Sequence, residues 1–352
     1  MDHESAYLGS TEYLLYSDSY FTGGPQFASP PFTFVNCIAD TRDGNVGPGI
    51  ALQHEHYMPD QEVLHAKKTV TSSWLNLTPD DEIACLISLV TGTRVRSGGP
   101  VRKFAVGGPT RGIPEFHSHR VPVWNPPERP LCPIPKQVSL EPVAEWVSRY
   151  YKLDAEDSVT LIRSAHQFRD ALWIADADPE LAWLLLVSSL ETAASRHAQA
   201  DISPAELLGQ ESPELASKLS PYGERHVEEV AQILTPIMKA TKRFKLFVEE
   251  YAPEPPEGRP DKYAQVEWSR VVKLSMKVYG FRSEKLHAGI PFPAPLCRRL
   301  LFHEPPYEER PFGISAAVGN NTWQSDDLPM HLHIFSYIAR GCLKNWWTSR
   351  IK

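Results

Sequence analysis

The chain has little of what would make its chemistry easy to name. Its five cysteines, Cys37, Cys85, Cys132, Cys297 and Cys342, are odd in number, scattered, and never spaced as CxxC. That argues against a disulfide framework and a zinc–thiolate site, and suits a reducing cytoplasm. The longest apolar block, Leu181 to Leu190, is about half of what a membrane-spanning helix needs. The opening residues, Met1-Asp2-His3-Glu4-Ser5, are acidic with no apolar run behind them, so no secretory signal is expected. Positive charge is not in excess: the net charge is -7. A broad nucleic-acid surface is usually basic, so any such contact must be local. Gly98-Gly99-Pro100 and Gly107-Gly108-Pro109 lack the Gly-Lys-Ser/Thr ending of a phosphate loop. A Gly-x-Ser-x-Gly elbow is missing as well, as are internal repeats and low-complexity tracts.

What is present is an ordinary globular composition, 42% hydrophobic and 22% charged, over 352 residues, enough for two domains. Residues 1 to about 75 are rich in Gly, Pro, Tyr, Phe and Thr, and runs such as Phe32-Thr33-Phe34-Val35 read as strands. Thr78-Pro79-Asp80-Asp81-Glu82 is a helix start, with a capping threonine, an early proline and acids at the positive helix end; the helix should run to about Thr91. The Gly-rich segment after it carries Arg94, Arg96, Arg102, Lys103 and Arg111 with no acidic residue between them. It could touch RNA or an acidic partner, with a solvated loop as the plainer reading.

Six prolines between Val121 and Pro135 mark a stiff connector and a domain boundary. Beyond it, patterning and caps predict helices over 141–153, 157–175, 178–197, 223–251, 261–288 and 328–350. Pro236 should kink or break the fourth. Residues 198–221 hold short pieces, and 289–327 read mostly as loop. The expected fold class is α+β: a mixed α/β domain over 1–130, a Pro-rich linker over 131–136, and a mainly helical domain over 137–352 with an insertion at about 290–327.

Near the end of the 261–288 helix stands Val278-Tyr279-Gly280-Phe281-Arg282-Ser283-Glu284-Lys285-Leu286-His287-Ala288-Gly289. Arginine clamps phosphate and histidine moves protons near neutral pH. At about 100° per residue, Val271, Leu274, Val278, Tyr279, Trp268 and Leu286 share an apolar face. Arg270, Lys273 and Lys277 form a basic stripe opposite, either a path for RNA or a solvated face. Arg282 falls on the apolar side, which is costly without a partner. His287 lies in the last turn before Gly289, where the helix dipole favours imidazolium. Five residues rotate a helix by about 140°, so the pair fits best where two copies of the helix meet. A second Arg-x4-His pair, Arg298 and His303, reads as a decoy in the Pro-rich region.

The segment Tyr279 to Gly289, with Arg282, Ser283 and His287, is similar to the arginine, polar residue, three-residue spacer, histidine signature of HEPN domains. Leu184-Leu185-Leu186-Val187-Ser188-Ser189-Leu190-Glu191 resembles the earlier apolar helix of such domains, which ends in Leu-Glu. The likeness covers roughly 140–350 and is greatest to HEPN domains of bacterial defence proteins. It differs at Ser283, where asparagine, aspartate or histidine is frequent, and in the long 290–327 insertion. The resemblance implies a helical bundle that dimerises and cleaves RNA without metal. The RNA's 2′-hydroxyl attacks, leaving a 2′,3′-cyclic phosphate. Arg282 would stabilise phosphate charge and His287 would act as general acid or base. Ser283 would orient His287 or touch phosphate. Glu191 would hold Arg282 or sit on plain surface. Arg270, Lys273, Lys277 and Lys285 would guide RNA. No cofactor or metal is expected. RNA, a second copy and a regulatory protein are the implied partners, and a non-catalytic HEPN binding module is the alternative.

Three His-x-His pairs remain: His54/His56, His117/His119 and His331/His333. On a strand such a pair shares one face and can bind metal; on a helix, expected for the third, the rings point apart. Without a third ligand nearby, ordinary loop or core histidines are the default reading.

Overall fold

The computed structural model describes residues 7–23, 26–37, 49–57, 75–115, 130–197, 203–313 and 315–351, the side chains of 236 and 237 excepted. Its first half is built on an antiparallel six-stranded sheet in the order β3-β4-β5-β1-β6-β7. The strands are β1 (Tyr7–Ser17), β3 (Gln26–Ser29), β4 (Phe32–Cys37), β5 (Gly49–Tyr57), β6 (Val95–Ala105) and β7 (Ile113–Pro114). Alternation puts Leu15, Phe34, Ile50, Leu52 and Val95 on one face, each fully buried. A short parallel pair joins β2 (Tyr20–Thr22) to β8 (Gln137–Ser139).

Helix α1 (Pro79–Thr91) starts at Thr78 as expected, but the threonine hydroxyl donates to Asp81 Oδ2 at 3.3 Å and caps no backbone amide. Every residue from Ile83 to Thr91 is buried, because α1 packs on β6 and also against helices of the second half. The helix ends at Gly92, whose φ of 74° only glycine adopts cheaply.

The second half contains α2 (Glu141–Tyr150), α3 (Ala155–Ile174), α4 (Pro179–Ala194), α5 (Pro204–Glu211), α6 (Pro213–Leu219), α7 (Glu224–Tyr251), α8 (Val271–Ala288) and α9 (Leu332–Arg350). Asp154 and Asp178 cap α3 and α4 by accepting the amides of Asp157 and Leu181. Trp183, Phe244, Phe247, Phe335, Trp346 and Trp347 are fully buried where α4, α7 and α9 meet. The protein is thus α+β, a sheet followed by a helical region. One continuous hydrophobic cluster runs from Leu15 of the sheet to Trp347 of α9. No helix among the described residues is long and apolar enough to cross a membrane.

Several expectations need correction. The basic segment after α1 is a solvated loop only in part: β6 is an interior strand and Arg94 is 1% exposed, while Arg102 and Lys103 on the strand and Arg111 in the turn beyond it are exposed. The segment 131–136 is more than a spacer. Leu131 and Cys132 are buried, Lys136 accepts the amide of Tyr20 at 2.8 Å, and Pro135 accepts the hydroxyl of Ser19 at 2.7 Å. Residues 121–129 of the expected connector lie outside the described residues. Helix α7 runs unbroken through Pro236; a proline removes one helical hydrogen bond, and both halves of this long helix are anchored by packing, on α5 and on α4 and α9. Helix α8 begins at Val271 rather than 261. Two 3₁₀ turns precede it, because the backbone at Ala264 and Val266 is taken up by Glu309. Residues 289–327 include a hairpin, β9 (Ser315–Val318) with β10 (Asn321–Gln324).

Candidate active site

Helix α8 carries both expected catalytic groups. It continues without distortion through Gly280 and closes at Gly289, where φ is 68° and the amide donates to Lys285 O at 3.1 Å. Its inner face, with Val271, Ser275 and Val278 buried, packs toward α4 and α7. Arg282 lies half-buried on this side. Its Nη2 donates to Glu191 Oε2 at 2.6 Å, in the last turn of α4. The guanidinium also stands 5.9 Å from the centre of the Tyr279 ring. Tyr279 hydrogen-bonds both Glu191 and Thr241. Burial pushes the Glu191 carboxyl above the usual range, against the opposing pull of Arg282 and the Tyr279 hydroxyl. Arg282 Nε is buried with no partner among the described residues.

His287 sits exposed in the last turn, about 140° around the helix from Arg282. Ser283 is half-buried, and neither it nor His287 has a hydrogen-bond partner among the described residues. The structure therefore joins Arg282 to Glu191 and leaves His287 on a separate, open surface. Leu286, expected on the apolar face, is 52% exposed beside His287.

The expected RNA-guiding cations are mostly engaged. Arg270 lies in the 3₁₀ turn before α8 and pairs with Glu267 at 3.2 Å. Lys277 pairs with Asp327 at 3.8 Å, and Lys285 with Glu180. Lys273 is exposed and without an ion pair among the described residues.

Sequence reasoning missed Glu180. It was legible only as an acid at the start of α4, yet it accepts both the Lys285 ammonium and the amide of Phe292, the latter at 3.1 Å. This pins the chain leaving α8 against α4. It also forms one wall of a cavity of about 660 Å³ that Phe281, Glu284, Arg298 and Trp323 help to line. Arg298, read as half of a decoy pair, is thus a neighbour of α8.

The histidine pairs are placed otherwise. His54 and His56 share β5 with rings 4.6 Å apart, but His56 Nε2 is bonded to Thr11 Oγ1 at 2.8 Å and His54 stacks on Phe32 at 4.5 Å. Burial above all pushes His54 down to about 4. His331 precedes α9 and His333 lies in its first turn; their rings do not point apart but stack 6.2 Å from each other, 19° from parallel. His117 and His119 lie outside the described residues. Among the described residues no group of three or more His, Cys, Asp or Glu side chains is placed to hold a metal ion.

Set beside protein-family models, curated proteins and solved structures, the chain finds no match in any of the three comparisons.

Proposed function

We propose that the protein is a metal-independent endoribonuclease of the HEPN type, an effector of a bacterial defence or toxin system in the cytoplasm. The observation that carries this reading is the 2.6 Å contact between Arg282 and Glu191. It joins the two segments on which the resemblance rests, 91 positions apart in the chain. A buried-side arginine oriented by a carboxylate is a preorganised phosphate clamp.

In this reading the 2′-oxygen of the RNA attacks phosphorus and the bond to the 5′-oxygen breaks. His287 takes the 2′-hydroxyl proton or returns one to the leaving 5′-oxygen. Arg282 neutralises charge on the phosphoryl oxygens, and Ser283 adds a hydroxyl beside it. Because Arg282 and His287 diverge on one straight helix, the working site takes its two groups from two copies of α8. Leu286 and Ile290, 52% and 49% exposed at this end of the helix, supply apolar surface for that meeting. Lys273, with Arg270, Lys277 and Lys285 released from their surface acids, guides RNA to the cleft. The sheet-bearing half contacts a trigger or a regulatory protein, a role inferred from architecture.

A second reading, a non-catalytic HEPN module that binds RNA, nucleotide or protein, is favoured by the pairing of Lys277, Lys285 and Arg282 with acids. Incubation of purified protein with total RNA and tRNA in the presence of chelator decides between them. Cyclic-phosphate ends, lost in Arg282→Ala and in His287→Ala, support the nuclease. Binding without cleavage supports the module. Cleavage that survives both substitutions removes this site from consideration.

A further inference from the structure

Between the C-terminal end of α1, the first half of α9 and residues 132–135 lies a cavity of about 220 Å³, room for about seven waters. Phe168, Leu172 and Ile334 form its apolar walls, and Arg340, His333 and Tyr337 its polar ones. The cavity is separate from α8.

Arg340 differs from five other arginines that are partly or fully buried. Arg94, Arg169, Arg196, Arg259 and Arg282 each pair with a carboxylate. Arg340 has no ion pair among the described residues. Its Nε donates to Leu89 O at 3.0 Å and its Nη2 to Val90 O, the carbonyl end of α1. That helix carries no basic residue in its own last turn, so Arg340 meets the negative end of the dipole. The helix end offers about half a unit of negative charge, which leaves the guanidinium only partly compensated. Its Nη1 has no hydrogen bond among the described residues.

Along α9 itself the neighbouring charge is positive. Lys344, one turn further along α9, has no ion pair among the described residues. Burial pushes its ammonium down to about 8, with Arg340 and Arg149 adding to the effect. Glu254 and Glu257 bear on the Tyr337 hydroxyl, but neither pairs with Arg340. That hydroxyl donates to Glu254 O at 3.0 Å and is already committed. His333 is kept neutral, pushed down to about 3 by burial and by His331. Its Nδ1 is buried with no partner. A buried polar nitrogen without a partner and a partly buried cation without an ion pair among the described residues, both on one cavity, are costly unless something meets them.

We propose that this cavity binds a small oxyanion, the carboxylate or phosphoryl group of a compound no larger than the space, held by Arg340 with His333 beside it. The occupant spans α1, which covers the sheet, and α9, which closes the helical region.

The test is thermal unfolding of the full chain with sodium phosphate or sodium acetate, ionic strength being held constant with sodium chloride. Wild type is compared with Arg340→Gln and Pro256→Glu. Pro256 lines the cavity from an irregular segment, so a glutamate there offers Arg340 a carboxylate while leaving the α1 cap in place. A saturable rise in Tm is expected for wild type, with a midpoint at least tenfold weaker in Pro256→Glu and absent in Arg340→Gln. A response to phosphate alone assigns a phosphoryl ligand, and a response to acetate alone a carboxylate. Should Arg340→Gln fail to fold, Pro256→Glu decides. A wild type that responds to neither anion, or a Pro256→Glu variant that keeps the wild-type midpoint, overturns the proposal.

Discussion

Arg94 Nη2 and Asp176 Oδ2 lie 3.0 Å apart, with the arginine 1% exposed. The same guanidinium pairs with Asp18 at 3.0 Å and donates to Leu172 O at 2.7 Å, while Asp176 accepts the amide of Leu131 at 2.7 Å. One side chain therefore ties the sheet, the 131–136 segment and the end of α3. Arg94→Ala strands two carboxylates inside the protein and should cost about 3–5 kcal/mol. Urea unfolding measures this. A loss below about 1 kcal/mol would mean that water reaches the cluster.

Glu191 and His287 should separate cleanly in a stability assay. Glu191→Gln removes a charge-assisted bond at a site about one-fifth exposed and should cost about 1–3 kcal/mol. His287→Ala, at an exposed position, should stay within about 0.5 kcal/mol of wild type while abolishing cleavage. A His287→Ala protein as unstable as Glu191→Gln would make the histidine structural.

Burial pushes Glu82 from an ordinary 4.5 up to about 7. The folded state thus holds this proton more tightly than the unfolded chain does. Its contribution is fully present below about pH 4.5 and is lost as pH rises through about 7. Glu82→Gln cannot lose a proton. Measured across pH 4 to 8, roughly the range that spans both values, wild-type stability should fall relative to the variant. A constant difference would place Glu82 in water.

Two glycines in helices should respond oppositely to alanine. A Cβ on Gly341 of α9 would meet Pro253 Cγ at 2.4 Å, whereas one on Gly280 of α8 meets nothing within 4 Å. Gly341→Ala should lose about 1–3 kcal/mol through overpacking. Gly280→Ala should gain up to about 1 kcal/mol from helix propensity. Thermal unfolding of the two variants reads both signs.

Local chemistry made much of the helical region legible. Thr78-Pro79-Asp80 and Asp178-Pro179-Glu180 announce α1 and α4 by proline placement and acids at the helix start. The Arg282–Glu191 contact could be anticipated from an arginine on an apolar face needing a partner. What escaped depended on distant chain. The strand β6 contains Gly98, Gly99 and Pro100 and reads as a loop. It is a strand because β1 lies beside it, with register shifts around Tyr13 opposite Pro100. The late start of α8 is set by Glu309, more than forty residues downstream, whose carboxylate accepts the Val266 amide. Arg94 looked solvated in a run of like charge, since its acids, Asp18 and Asp176, are 76 and 82 positions away. The divergence of Arg282 and His287 was legible from helix geometry alone.

Arg340 caps α1 from a position 251 residues later than the carbonyl it serves. During synthesis at about 5–20 residues per second, that helix end waits roughly 10–50 s for its cation. Over that interval the end of α1 at Leu89 and Val90 lacks the helix α9 that later meets it. The carbonyl end of α1 is therefore the last part of the sheet-bearing half to find its partner, after β6, α2 and α3 have already packed on the helix.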